Sequence, residues 1–109
     1  MPLPAVTLSV RGVAGPDVHR ELAALVGPTQ AQPGCLRCAL LHDAENAAAF
    51  ELVEEWTSRA ELDVHFRSED CRRLLAAIDR ASEPPVFRVH TVAESDGIEA
   101  IAAARGDPQ

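Results

Sequence analysis

Residues 35–42 and 49–57 read as two strands, and only Asp43 to Ala47 links them. A connection that short closes a hairpin, so the middle of the chain is expected to be an antiparallel pair. In the second run Phe50, Leu52, Glu54 and Trp56 share one face, while Glu51, Val53 and Glu55 share the other. Ser58 with Glu61 then forms a capping box, which starts a helix directly after the strand. Leu62, His65 and Phe66 line the inner side of that helix. The chain's only tryptophan and His65 therefore meet near one end of a sheet, under a helix, where a small cavity can form.

The flanks complete the pattern. Across residues 5–11, Val6, Leu8 and Val10 point one way and Thr7, Ser9 and Arg11 the other. Pro16 and Asp17 suit the first turn of a helix. Val18, Leu22, Leu25 and Val26 continue it as an apolar stripe until Gly27-Pro28 weakens or ends it. Pro33-Gly34 marks a turn. Ser68 restarts a helix through about Ala81, with Cys71, Leu74, Leu75 and Ile78 as its stripe. Pro84-Pro85 stops it, and Val86 to Val92 is a fourth strand. Asp96 and Glu99 form a further capping box for a short terminal helix carrying Ile98 and Ile101, before a frayed tail from Gly106 to Gln109.

The order is β-α-β-β-α-β plus a terminal helix, an α+β chain of the ferredoxin-like class. Both helices then cover one face of a four-stranded antiparallel sheet. The domain spans 1–93, with a C-terminal helix and tail at 94–109. Apolar residues fall on both faces, as Leu52 and Val53 show, and an apolar outer face needs a cover. A second copy, sheet on sheet, is the simplest, so a homodimer is expected.

A formal charge of −7 argues against a nucleic-acid partner, which would need a basic face. No segment approaches the roughly 18 apolar residues of a membrane span. Met1 to Pro4 lacks the basic and apolar regions of a secretory signal. Three cysteines, an odd number, fit a reducing cytoplasm better than a disulfide framework.

With that order laid out, the chain resembles the antibiotic biosynthesis monooxygenase family. The matching residues are Thr29 with Gln32-Pro-Gly-Cys-Leu-Arg37, then Phe50-Glu-Leu-Val-Glu-Glu-Trp-Thr-Ser-Arg-Ala-Glu-Leu62, then His65-Phe-Arg-Ser68. The resemblance covers about residues 5–93 and implies a dimeric α+β barrel with a pocket between sheet and helices. Several members oxygenate polycyclic phenols, anthrones or hydroquinones without metal or flavin; others degrade haem, isomerise or decarboxylate, or have no known activity. Trp56 matches the tryptophan of the anthrone oxygenases, but Leu52 and Leu62 stand where they carry asparagine and tyrosine. His65 and Leu75 stand where the haem-degrading branch carries tryptophan and the haem-ligating histidine, so no cofactor is expected.

The resemblance implies a cofactor-independent monooxygenase acting on a small aromatic or quinol-type substrate. His65 is the lead residue: an imidazole on the inner side of a helix can take a proton from a phenol or an activated C–H near neutral pH. A buried histidine bonded to a backbone carbonyl or strand carboxylate would leave the same pattern. Trp56 can stack on an aromatic substrate and donate its indole N–H, or simply pack the core. Leu52, Leu62 and Phe66 are expected to line the pocket. Glu54 on a covered face must be paired, protonated or functional, and Arg37 on the neighbouring strand is its expected ion partner. A one-residue slip would put Glu55 there instead. An accessory, non-catalytic protein and an isomerase-type enzyme in the same pocket are the alternatives.

Cys35-Leu-Arg-Cys38 resembles a redox or zinc pair. On a regular strand, however, positions i and i+3 face opposite sides roughly 10 Å apart, beyond the roughly 7 Å reach of a disulfide. Zinc would need two further ligands. Both cysteines, and Cys71 in its helix stripe, are expected to be structural, and no metal site is expected. His19, His42 and His90 are scattered, with His42 in a solvated turn.

Overall fold

Strand β1 (Val6–Val13) pairs on both sides, antiparallel to β3 (Ala49–Trp56) and to β4 (Val86–Thr91), and β2 (Cys35–His42) closes the far side of β3. The sheet order is β2-β3-β1-β4. Helix α1 (Pro16–Gln30) crosses from β1 to β2, and the short helix α2 (Arg59–Phe66) with α3 (Glu69–Ile78) crosses from β3 to β4. Helix α4 (Glu99–Arg105) follows β4. This is the ferredoxin-like arrangement, here in a computed structural model that describes residues 3–106. The readings of Met1 and Pro2 and of a frayed Asp107 to Gln109 lie outside the described residues.

The period-two pattern places the core. Val6, Leu8 and Val10 of β1 and Phe50, Leu52, Glu54 and Trp56 of β3 are all buried on the helix side. Strand parity is therefore settled in favour of Glu54, and Glu55 points outward. Val18 and Leu22 of α1 and Leu74, Ala77 and Ile78 of α3 pack onto that face, and Cys71 of α3 is buried. A second, smaller cluster of Val6, Trp56 and Leu62 fills the end of the sheet under α2.

Four local expectations are corrected. Helix α1 runs through Gly27-Pro28 to Gln30, because a proline this near the end removes a single hydrogen bond and the Ala31 amide still reaches the Gly27 carbonyl. Helix α3 stops at Ile78, and Leu75 lies on its flank, half in solvent, while Ala77 takes the buried position. At α4 the N-cap is Ile98 with no side-chain cap, so Asp96 does not form the expected box. Finally, β2 carries a bulge between Cys35 and Arg37. The extra residue shifts the alternation, so Cys35 lies opposite Trp56 and Cys38 opposite Glu54, on one face rather than two. All three cysteines are free thiols.

The outer face is less apolar than its sequence suggests. Arg11 pairs with Glu51 at 3.4 Å and Arg37 with Glu55 at 3.6 Å, and the Ser9 hydroxyl donates to Glu51 at 2.6 Å. Val53 and Ala39 sit between these groups. Exposed apolar side chains lie there on Leu41 and Val86, and elsewhere on Leu75, Phe87 and Val89 and on Ile98 and Ile101 of α4. No helix among the described residues is long and apolar enough to cross a membrane.

The turn before β2 depends on one glycine. Gly34 has φ +85°, and a β-carbon there would collide with the Glu61 carboxylate. That carboxylate accepts from the Thr57 hydroxyl, while the Glu61 amide donates to the Ser58 cap at 3.2 Å and the Thr57 amide to the Gly34 carbonyl at 2.9 Å. Gly34→Ala is expected to cost about 1–3 kcal/mol through left-handed strain, read as a lower urea midpoint at unchanged slope.

Candidate functional site

The buried polar groups converge at the Trp56 end of the sheet. Glu54 and Trp56 are two apart on β3, so their side chains rise from the same face. The indole Nε1–H donates to Glu54 Oε1 at 3.0 Å. His65, from the last turn of α2, lays its ring on the indole at a centroid separation of 5.0 Å and 29° between planes. Its Nε2 lies 3.4 Å from the same Glu54 Oε1. Glu54 and His65 are each 1% exposed and Trp56 is fully buried.

The other face of the imidazole is held from the β2 turn. His65 Nδ1 lies 2.8 Å from Gln32 Oε1, and the Gln32 amide Nε2–H donates to Asp70 Oδ2 at 3.3 Å. A line of polar contacts thus runs Trp56, Glu54, His65, Gln32, Asp70, from the core to a half-exposed carboxylate in the first turn of α3. One atom is left over. His65 Nε2 is buried and has no hydrogen-bond partner among the described residues, because its approach to Glu54 lacks hydrogen-bond geometry. A buried polar atom in that condition is costly. The acid and the imidazole therefore sit as one buried unit.

A cavity of about 10 Å³ opens beside this unit, lined by Leu25, Thr29, Cys38, Leu52, Glu54, His65, Asp70 and Leu74. That is about the room of a single water. Cys38 also lines a wider depression of about 410 Å³ on the outer edge of β2, with Gln30, Cys35, Leu36, Arg37 and Ala39. One residue of β2 thus lines both the polar core and an open surface.

The carboxylate marks its surroundings. Burial, and next the charge of Glu54, push the Cys38 thiol up to about 12, against the ordinary 9.0. The same two causes raise Cys35 and Cys71. The three thiols are therefore neutral at physiological pH. Among the described residues no group of three histidine, cysteine or acidic side chains is placed to hold a metal ion.

Of the residues singled out in the sequence, Glu54, Trp56, His65 and Leu52 come together. Leu62 packs on Trp56, and Phe66 lies against both clusters; neither lines the cavity. Arg37 does not pair with Glu54. The β2 bulge turns it to the outer face, where it meets Glu55. Gln32, Asp70, Thr29 and Cys38 belong to the site and were not singled out for it. Thr29 and Gln32 had a signal as residues that match the family pattern, and Cys38 was weighed only as a pair with Cys35; Asp70 had none. Elsewhere, His42 is exposed at the end of β2, next to Asp43, and stacks on His19 with centroids 4.8 Å apart.

Sequence and fold comparisons converge. The family model described as antibiotic biosynthesis monooxygenase matches residues 5–77. An uncharacterized protein of Synechocystis, sll1783, is 27% identical over 111 residues, covering 87% of this chain and 76% of the relative. The crystal structure of PA3566 from Pseudomonas aeruginosa superposes with a TM-score of 0.73 at 26% identity, covering 86% of this chain and 99% of that one. A putative antibiotic biosynthesis monooxygenase from Deinococcus radiodurans reaches 0.76 at 15% identity, covering 85% and 97%, a likeness of fold.

The raised thiol has a signed consequence. Cys38 stays neutral in the fold up to about 12, whereas in the unfolded chain it ionises near 9.0. Its contribution to stability is complete below that lower value and is lost as pH rises towards the upper one. Wild-type unfolding free energy is expected to fall more steeply above pH 9.0 than that of Cys38→Ala, measured by urea titration at successive pH values.

Proposed function

The chain belongs to the antibiotic biosynthesis monooxygenase family, and from that premise we propose that it is a cofactor-independent monooxygenase of a small anthrone- or quinol-type compound. The observation that carries the reading is the buried His65 Nε2, without a hydrogen bond and 3.4 Å from Glu54 Oε1, on the face of an indole. His65 Nε2 is the base. It takes a proton from a phenolic O–H or from a ring-activated methylene, and Glu54 stabilises the imidazolium that forms. The electron-rich anion adds dioxygen and becomes a peroxide. The proton returns from His65 to the peroxide, and loss of water with the remaining C–H proton leaves a carbonyl. Dioxygen is reduced to one water and one carbonyl oxygen, and the methylene is oxidised. Trp56 supplies an aromatic wall and Leu52 an apolar one.

Arg37 lies outside the cavity, and Leu62 and Phe66 support the indole from behind, so their part is indirect. The route in that fits best is the β2 edge, where Cys38 borders both the cavity and the outer depression. The working unit is a homodimer, with the mixed outer face of the sheet or the apolar edge at β4 covered by a second copy. Light scattering at micromolar concentration is expected to give twice the chain mass, and a monomer mass would exclude it.

One observation favours a second reading. A cavity of about 10 Å³ has no room for an aromatic ring, whereas an apolar cavity of about 150 Å³ is what takes a benzene. A scaffold that never opens would be a passive accessory protein. Oxygen uptake against a panel of hydroquinones and anthrones separates the two. His65→Ala and the volume-matched His65→Gln are expected to lower the rate by about 10²–10⁴-fold. Wild-type uptake that both variants leave intact defeats the base assignment, and silence across the panel leaves the passive scaffold.

A further inference from the structure

We propose that Asp70, acting through Gln32, is a positioning residue that decides which nitrogen of His65 carries its proton. The proposal rests on the reading of His65 as the base and deepens it. A primary amide has a donating half and an accepting half, and either can face an imidazole. Asp70 removes the ambiguity. Its carboxylate only accepts, and it lies 3.3 Å from the Gln32 amide nitrogen, so the donating half of Gln32 is turned towards Asp70. The Gln32 carbonyl then faces His65 Nδ1 at 2.8 Å and can only accept there. Nδ1 must carry the hydrogen, and a neutral ring keeps its lone pair on Nε2, the buried atom that faces Glu54 and the cavity. With the amide reversed, its NH₂ would take the lone pair of Nδ1. The hydrogen would sit on Nε2, and no base would face the cavity.

The fold holds both intermediaries in place. The backbone N–H of Gln32 donates to the Thr29 carbonyl at 3.1 Å, and its backbone carbonyl accepts from the Cys35 backbone N–H at 3.1 Å. Asp70 is tied to His65 through Ser68, whose hydroxyl donates to the His65 carbonyl at 2.6 Å and caps α3 by accepting from the Cys71 amide at 3.1 Å. A plain helical role for Asp70, as an acid in the first turn of α3, accounts for its effect on α3 but would not touch the tautomer of a residue on α2.

The test is ring-nitrogen NMR of His65 in the full chain, with the imidazole neutral. Wild type is expected to show the hydrogen on Nδ1 and a bare Nε2. Asp70→Ala and Gln32→Leu are expected to shift the population towards Nε2–H. Adding Gln32→Glu to Asp70→Ala is expected to restore Nδ1–H, because a carboxylate accepts without needing a neighbour to orient it. An Asp70→Ala protein that keeps the native amide spectrum and unchanged ring-nitrogen shifts overturns the proposal, as does a wild-type ring protonated on Nε2. The readout needs no substrate, so it stands or falls apart from the oxygenase reading. Where turnover is found, Asp70→Ala is expected to lower kcat by about tenfold or more at unchanged KM, the mark of a wrong tautomer.

Discussion

The structure is organised around a carboxylate with almost no access to water. Glu54 is 1% exposed in the middle of β3, flanked on its own face by Leu52 and Trp56. A charge in that position is tolerated only with partners. The indole N–H supplies one hydrogen bond, and the imidazole Nε2 lies 3.4 Å from the same oxygen. Each partner then needs its own support. Leu62 and Val6 hold the indole, and Gln32 and Asp70 hold the imidazole. The thiols of Cys35, Cys38 and Cys71 stay protonated partly because that charge is near. Turn, bulge, helix start and helix restart all serve the residues that surround one buried acid.

Parts of this were legible beforehand. The alternation of Phe50, Leu52, Glu54 and Trp56 is a local property, and it placed the acid on the covered face because a strand has no other way to bury three large apolar residues. The Ser58 and Ser68 caps were legible for the same reason: a cap is decided within four residues. Asp96 shows the limit, since α4 makes little contact with the rest of the fold and nothing outside its own turn selects a cap.

What was illegible depended on contacts between distant segments or on a break in periodicity. Arg37 was expected to pair with Glu54 because it lies on the neighbouring strand, and the bulge in β2 puts it opposite Glu55. The same bulge put Cys35 and Cys38 on one face. Gln32 reaches His65 across 33 residues, and Asp70 reaches Gln32 across 38. No spacing rule reports on such pairs. The size of the cavity is the least legible quantity of all, because it is the small remainder after Leu25, Leu52 and Leu74 are packed from three separate elements.

That remainder bears on whether the site is a working one. If stability were the only demand, an apolar residue at positions 54 and 65 would fill the same space, because a buried ionic pair is often matched or bettered by packed hydrophobes. Leu52 shows that β3 uses leucine on this face without difficulty. The chain instead keeps an acid, an imidazole with one unsatisfied nitrogen, and a two-residue relay that orients it. Each of these costs stability. The tight walls act in the opposite direction, since they leave about the room of a single water beside the imidazole. A base at His65 and a nearly closed cavity are compatible only if the walls part, because a seal that suits a water excludes a ring at rest.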